Sequence, residues 1–200
     1  KALPNIPIDG VKVIEYRKAM VPDKLPKALV VIGAGAIGVE FAYFYNAMGT
    51  KVTVIEYLEQ GLVPREDPEI SKELKRQFTR SGIDVLGNTA VEKVDSSGKS
   101  IVVTAKDRKS GEIKEITCDL VLSAAGVASN IENIGLETLG IKTDKGKVVV
   151  NQWYETNVAG IYAIGDITEG PALAHVASAE GIICVEKIAG HHPQPLDYGN

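Results

Sequence analysis

Three glycines and one acid give this chain its clearest chemical potential. Gly33, Gly35 and Gly38 lie in the stretch Ala28-Leu29-Val30-Val31-Ile32-Gly33-Ala34-Gly35-Ala36-Ile37-Gly38-Val39-Glu40, and Glu56 follows further on. The stretch reads as an apolar strand, a glycine turn and the start of a helix, the arrangement that holds a pyrophosphate. Gly33 permits a tight turn as the strand ends. Gly35 lets the backbone approach phosphate oxygens, and Gly38 lets the helix pack closely on the sheet. The helix N-terminus adds unpaired N–H groups and about half a positive charge.

A lone G-x-G-x-x-G is a weak signal, and its surroundings make this one specific. Ile37, Phe41, Tyr45 and Met48 recur at helical spacing, and Gly49 stops the helix. Lys51-Val52-Thr53-Val54-Ile55 then forms a second strand that ends in Glu56. A carboxylate about 20 residues past the glycines accepts hydrogen bonds from an adenosine ribose. The same carboxylate repels a 2′-phosphate, and no basic side chain follows it until Arg65. NAD is therefore expected rather than NADP.

A second informative stretch is Thr156-Asn157-Val158-Ala159-Gly160-Ile161-Tyr162-Ala163-Ile164-Gly165-Asp166. An apolar strand ending in Gly-Asp places a carboxylate at a strand tip, where Asp166 either accepts hydrogen bonds from a polyol or sits in an ordinary turn. The helix expected from Ala172 to Ala189 points its positive N-terminus at whatever lies over residues 172–175. Its apolar contacts are read as Leu173, Val176, Ile183 and Ile188. Gly126, closing the apolar run Leu120–Ala125, fits close approach of a ligand as well as it fits a plain turn.

The elements that must position these residues follow in order. Residues 1–26 carry Pro4, Pro7, Pro22 and Pro26 around one strand-like run, Val11-Lys12-Val13-Ile14, too little for a domain. Asp67 and Pro68 cap a helix whose stripe is Ile70, Leu74 and Phe78, ending near Gly82. Ile83–Leu86 is a third strand. Three further runs, 90–94, 100–105 and 112–117, are separated by Ser-Gly turns and read as a β-meander inserted before the buried strand 120–125. Residues 127–147 read as loop, with Val148–Val150 and 160–164 as last strand candidates. The fold class is thus α/β, a Rossmann-like three-layer fold with a β-meander insertion.

Composition narrows the field. The 200 residues are 44% hydrophobic and 24% charged with a net charge of −4, and they hold no Lys/Arg-rich run, which argues against nucleic acid. No apolar run is long enough to span a membrane. Cys118 and Cys184 are far apart and outside any C-x-x-C motif, so both read as structural thiols. His175, His191 and His192 form no metal-ligand pattern. A chain beginning at Lys1 rather than Met reads as a piece of something longer.

The words Gly33–Glu40, Val52–Glu56, Asn88-Thr89-Ala90-Val91, Gly160–Asp166 and Leu173-Ala174-His175-Val176-Ala177 resemble those of the flavoprotein disulfide reductases, most closely their dihydrolipoamide dehydrogenase branch. The resemblance covers nearly the whole chain. It implies that Gly33, Ala34, Gly35, Ala36, Ile37 and Gly38 hold the NAD pyrophosphate, with Val39 also at the NAD site and Glu40 toward the nicotinamide ribose. Glu56 would bind the adenosine ribose, Val91 the adenine, and Gly126 the nicotinamide end. Asp166 would bind the FAD ribityl chain, and Ala172, Leu173, Ala174 and His175 would lie against the flavin. Residues 1–26 would end a first FAD-domain segment, 27–148 form the NAD-binding domain, and 149–200 return to the FAD domain.

The implied activity is oxidation of dihydrolipoamide by NAD through FAD and a redox disulfide. The implied partner is dihydrolipoamide carried on an acyltransferase subunit of a 2-oxoacid dehydrogenase complex. The full-length parent would be a homodimer, cytoplasmic in a bacterium or else in the mitochondrial matrix, without nucleic-acid or membrane partners. The family's C-x-x-x-x-C cysteines and catalytic His-Glu pair are absent from these 200 residues, so no catalytic residue is assigned and the piece alone is expected to be inactive. Val127-Ala128-Ser129-Asn130 stands where many relatives carry Arg and Pro. Mercuric or glutathione reductases are the near alternatives, disfavoured by Gly38 and by the lack of paired arginines after the second strand. A non-catalytic NAD-binding module and a ligand-free Rossmann-like domain are the others.

Overall fold

The computed structural model describes residue 3 and residues 6–199, which pack as two compact units, Lys1–Val127 and Ala128–Asn200. The first is built on a parallel sheet. Its strands are β1 (Val13–Ile14), β2 (Ala28–Ile32), β3 (Lys51–Ile55), β4 (Asp84–Leu86) and, after an insertion, a last strand Leu120–Ser123. Helices α1 (Tyr16–Met20), α2 (Ala36–Ala47) and α3 (Pro68–Arg80) connect the early strands. The insertion is an antiparallel meander of β5 (Thr89–Asp95), β6 (Ile101–Asp107) and β7 (Ile113–Cys118), which makes Leu120–Ser123 β8. The sheet order is β1-β8-β2-β3-β4.

Alternation along each strand explains the layering. Ile14, Leu29, Val31, Val52, Val54 and Leu122 face a core shared with Ala42 and Tyr45 of α2 and Phe78 of α3. Val13, Val30, Ile32, Ile55 and Val121 face the opposite core, where Ile101, Val103, Ala105 and Cys118 of the meander cover them. Successive side chains point to opposite faces, so strands buried on both sides must be apolar throughout. The result is helices on one face and an antiparallel sheet on the other, the three-layer arrangement expected from the sequence.

Local signals set the element ends. The Asp67 carboxylate accepts from the Glu69 N–H at 2.8 Å and caps α3, with Pro68 in its first turn. Gly49 and Gly82, just beyond α2 and α3, take left-handed φ values of 93° and 80°. Before β2 the structure differs from the sequence reading in one respect. The strand expected at Val11–Ile14 shortens to Val13–Ile14, and a helical turn, α1, follows where extended chain was expected. Its Ala19 carbonyl accepts from the buried Tyr45 hydroxyl at 2.8 Å, a tertiary partner that local spacing does not reveal.

The second unit has a smaller core of Ile141, Val148 and Ala163, flanked by Ile131, Leu136, Val150, Val158, Ile161 and Ile167. Here β9 (Thr143–Asp144) pairs with β10 (Lys147–Val148) across a two-residue turn, and α4 (Ala174–Ile188) follows further on. The expected strand at 160–164 does not form. Its backbone bonds back to the neighbouring stretch, with Thr156 N–H donating to Ile161 O and Ala163 N–H to Tyr154 O at 2.9 Å each, leaving a single Glu155–Tyr162 bridge. Gly165–Ile167 then turns as a short 3-10 helix. Among the described residues no helix is long and apolar enough to cross a membrane.

Candidate dinucleotide-binding site

The carboxyl ends of β2, β3 and β8 bring the first group of sequence-predicted residues together. Gly33 N–H donates to Ile55 O at 2.8 Å, and Ala124 N–H donates to Ile32 O at 2.8 Å. The glycine turn, Glu56 and the segment leading to Gly126 therefore share one edge of the sheet. In open α/β sheets that edge, outside the carboxyl ends of the strands, is where ligands bind.

The three glycines are not equivalent. A Cβ on Gly33 would lie 2.6 Å from the Ala124 carbonyl oxygen, and its φ of 101° disfavours any side chain. A Cβ on Gly38 would lie 1.9 Å from the Gly33 oxygen. Packing requires glycine at both. Around Gly35 a Cβ would meet nothing within 4 Å, and Gly35 and Ala36 are exposed. The absent side chain at Gly35 therefore leaves room over the turn instead of relieving a clash. Gly35 is also the N-cap of α2, so the first-turn N–H groups, which have no intrahelical partner in any helix, receive no side-chain acceptor from the cap. Ala34 is buried, Ile37 and Val39 pack against the helical core, and Glu40 is exposed on α2.

Glu56 is only 8% exposed, yet it has no cationic partner among the described residues. Its Oε2 accepts from Ala34 N–H at 2.7 Å and its Oε1 from Leu58 N–H at 2.9 Å. Each carboxylate oxygen keeps acceptor capacity beyond these bonds. Thr89 N–H donates to the Glu56 carbonyl at 2.8 Å, which draws the start of β5 to this edge with Val91, half-buried, two residues on. Gly126 takes a φ of 101° with open space where a Cβ would stand.

Arg108 is a residue at this edge that sequence reading missed. Its guanidinium carbon stands 3.8 Å from the centroid of the Tyr57 ring, and Nη1 donates to Tyr57 O at 3.0 Å. It comes from the end of β6, more than fifty positions beyond Glu56, so no local spacing could have pointed to it.

The remaining predicted residues lie in the second unit. Asp166 is exposed, and its side chain has no hydrogen-bond or ionic partner among the described residues. Its backbone carbonyl is held instead, accepting from Ser129 Oγ at 2.9 Å and from Lys147 Nζ. Ala172, Leu173, Ala174 and His175 are exposed, and Leu173 caps α4 without a side-chain bond. Two apolar contacts expected for this helix are corrected: Leu173 and Ile188 are 48% and 56% exposed. The helix instead buries Cys184 and Glu180, the latter 1% exposed. Glu180 accepts from Gly165 N–H at 2.5 Å and from the Tyr198 hydroxyl at 2.7 Å. A buried acid within an apolar helical pattern is decided by these distant donors, and only its position fifteen residues after Gly165 could have hinted at them.

Neither cysteine has the surroundings of a redox thiol. Both are free and buried, and burial pushes the Cys118 thiol up to about 11. Among the described residues no cluster of His, Cys, Asp or Glu could hold a metal ion.

A parallel sheet with a glycine turn and an acid at its carboxyl edge makes this an α/β protein of the Rossmann-like fold class. Within that class the chain belongs to the pyridine nucleotide-disulphide oxidoreductase family, whose model matches residues 2–181. It is 47% identical over 200 residues to a dihydrolipoyl dehydrogenase of Rhizobium etli, covering all of this chain and 41% of that protein. It is 40% identical over 191 residues to a mitochondrial dihydrolipoyl dehydrogenase of Pisum sativum, covering 95% of this chain and 38% of the relative. The chain thus spans well under half the length of these relatives, which include bacterial and mitochondrial forms.

Solved structures agree. LpdA from Mycobacterium tuberculosis superposes with a TM-score of 0.86 at 31% identity, covering 98% of this chain and 42% of that one. The flavoprotein disulfide reductase RclA from Escherichia coli, as its Cu(II) complex, gives a TM-score of 0.86 at 25% identity, covering 98% and 44%.

Proposed function

We propose that this chain is the NAD-binding portion of a dihydrolipoamide dehydrogenase, carrying in addition the ribityl-binding part of its FAD site. The observation that carries the reading is the turn at Gly33–Gly38, where two glycines are required by backbone packing and the third opens space over an uncapped helix start. A turn built only for packing has no use for that opening. In this reading N–H groups of the turn and the first turn of α2 bind the pyrophosphate. The free acceptor capacity of Glu56 takes the adenosine ribose hydroxyls, and its charge disfavours a 2′-phosphate. Glu40 lies toward the nicotinamide ribose, Val91 against the adenine and Gly126 at the nicotinamide end.

The second unit supports the flavin part. Asp166 presents a carboxylate with no partner among the described residues, on a backbone fixed by Ser129 and Lys147, suited to accept from polyol hydroxyls. Ala172, Leu173, Ala174 and His175, at the uncapped start of α4, lie against the flavin, where the helix N-terminus favours negative charge. When bound, FAD supplies two-electron transfer between a dithiol and the nicotinamide ring. The redox cysteines and catalytic His-Glu pair belong to the parent outside these residues. Functionally, residues 1–26 end one FAD segment, 27–148 bind NAD and 149–200 return to the FAD domain. The parent would be a homodimer, cytoplasmic in a bacterium, acting on dihydrolipoamide carried by an acyltransferase subunit.

Calorimetric titration with NAD tests the reading. Wild type should bind, and Gly35→Val, whose side chain enters open space, should fold normally while losing binding. Unchanged affinity in Gly35→Val would remove the turn as the pyrophosphate site.

A further inference from the structure

We infer that Arg108, stacked on Tyr57, is the platform for the adenine end of the dinucleotide and sets the affinity for its adenosine half. The inference rests on the NAD-binding reading above and adds a residue to it.

Three contacts hold the guanidinium. The Tyr57 ring covers one face at 3.8 Å, and Nη1 donates to Tyr57 O at 3.0 Å and to Asn88 Oδ1 at 3.3 Å. The backbone is tied as well, Arg108 N–H donating to Asn88 O at 2.9 Å and Asn88 N–H to Leu58 O at 3.0 Å. Tyr57 directly follows Glu56, the acid assigned to the adenosine ribose. The planar group is thus held on the residue that follows that acid before any ligand arrives, and Arg108 remains exposed.

An ordered guanidinium plane with one face on an aromatic ring offers the other face to a second π-system. A purine meets that description, and stacking on such a plane needs no particular hydrogen-bonding edge. The ordering matters because a free arginine loses rotamer entropy on binding, a cost this one has already met through Tyr57 and Asn88. Lysine could supply the charge but not the plane. A 2′-phosphate is the other anion-bearing partner an arginine could take, but the Glu56 carboxylate, held by backbone N–H groups and in no ion pair among the described residues, carries a charge that disfavours it.

The test is calorimetric titration of ADP-ribose and NAD into wild type, Arg108→Ala, Arg108→Lys and Glu56→Ala, with circular dichroism of each. Arg108→Ala and Arg108→Lys should keep the wild-type spectrum and lose about tenfold in affinity, the scale of one base stacking contact, by the same factor for both ligands. Arg108→Lys at full affinity would overturn the stacking role. So would an Arg108→Ala that binds ADP-ribose like wild type while Glu56→Ala does not, which leaves the NAD reading standing. A wild type that binds neither ligand overturns the NAD reading and this inference with it.

Discussion

The Glu56 carboxylate accepts from the Ala34 amide at 2.7 Å, so the acid at the tip of β3 fixes the turn at the tip of β2. One side chain thereby serves both the fold and the proposed ribose contact. Glu56→Ala leaves Ala34 and Leu58 N–H groups without their acceptor, at a cost of about 1.5–3 kcal/mol for bonds to a charged group. Urea unfolding should show that loss, and NAD titration should show clearly weaker binding. Glu56→Gln keeps one acceptor oxygen and should recover part of the stability.

Gly38 and Gly35 predict opposite outcomes for the same substitution. Gly38→Ala drives a methyl to 1.9 Å from the Gly33 oxygen inside a helix that must stay close to the sheet. It should lower the melting temperature sharply or prevent soluble expression. Gly35→Ala, with nothing within 4 Å and an extended backbone, should leave the melting temperature near wild type. Thermal unfolding of the two variants side by side is the check.

These elements were legible in the sequence because their determinants are local. Strand, turn, helix and second strand occupy residues 28–55 without interruption, and the meander is marked by alternation between Ser-Gly turns. What escaped has distant causes. The helical turn at Tyr16–Met20 depends on Tyr45, and the strand expected at 160–164 bonds back to the adjoining residues 154–158 instead of joining a sheet. Arg108 reaches Tyr57 through the meander, and the burial of Glu180 answers to Gly165 and Tyr198. Periodicity along one element carries no information about such partners.

The Glu180 cluster makes an alkaline prediction. Although the Tyr198 residue is 44% exposed, its hydroxyl sits between Tyr154 at 3.2 Å and Glu180. Burial, then the bonds to Tyr154 and Glu180, push its phenol well above the ordinary 10.0, and burial raises Tyr154 too. A group whose proton is held more tightly in the folded state gives its full stabilisation below the unfolded pKa and loses it as pH rises. Stability should therefore fall above about pH 10 as unfolded tyrosines release their protons. Tyrosinate absorbance should show Tyr198 titrating closer to the normal range in Glu180→Gln. Glu180→Ala should cost about 2–4 kcal/mol through its orphaned donors.

Catalysis offers a further check. Cys118 and Cys184 are buried, and burial raises both thiols, so the reactive thiolate is disfavoured at neutral pH. An aromatic disulfide reagent should modify neither in the native chain and both after unfolding. An assay with dihydrolipoamide, NAD and added FAD should register no turnover from these residues, and measurable turnover would refute the assignment of the redox dithiol to the parent outside them.

Because the chain's two sulfhydryls are locked away, its outer surface is chemically blank toward maleimides. A single cysteine placed at exposed Lys109, next to Arg108 on the hairpin, would be the sole site of conjugation. A fluorophore there would turn the protein into a one-colour reporter of events beside the Tyr57 ring.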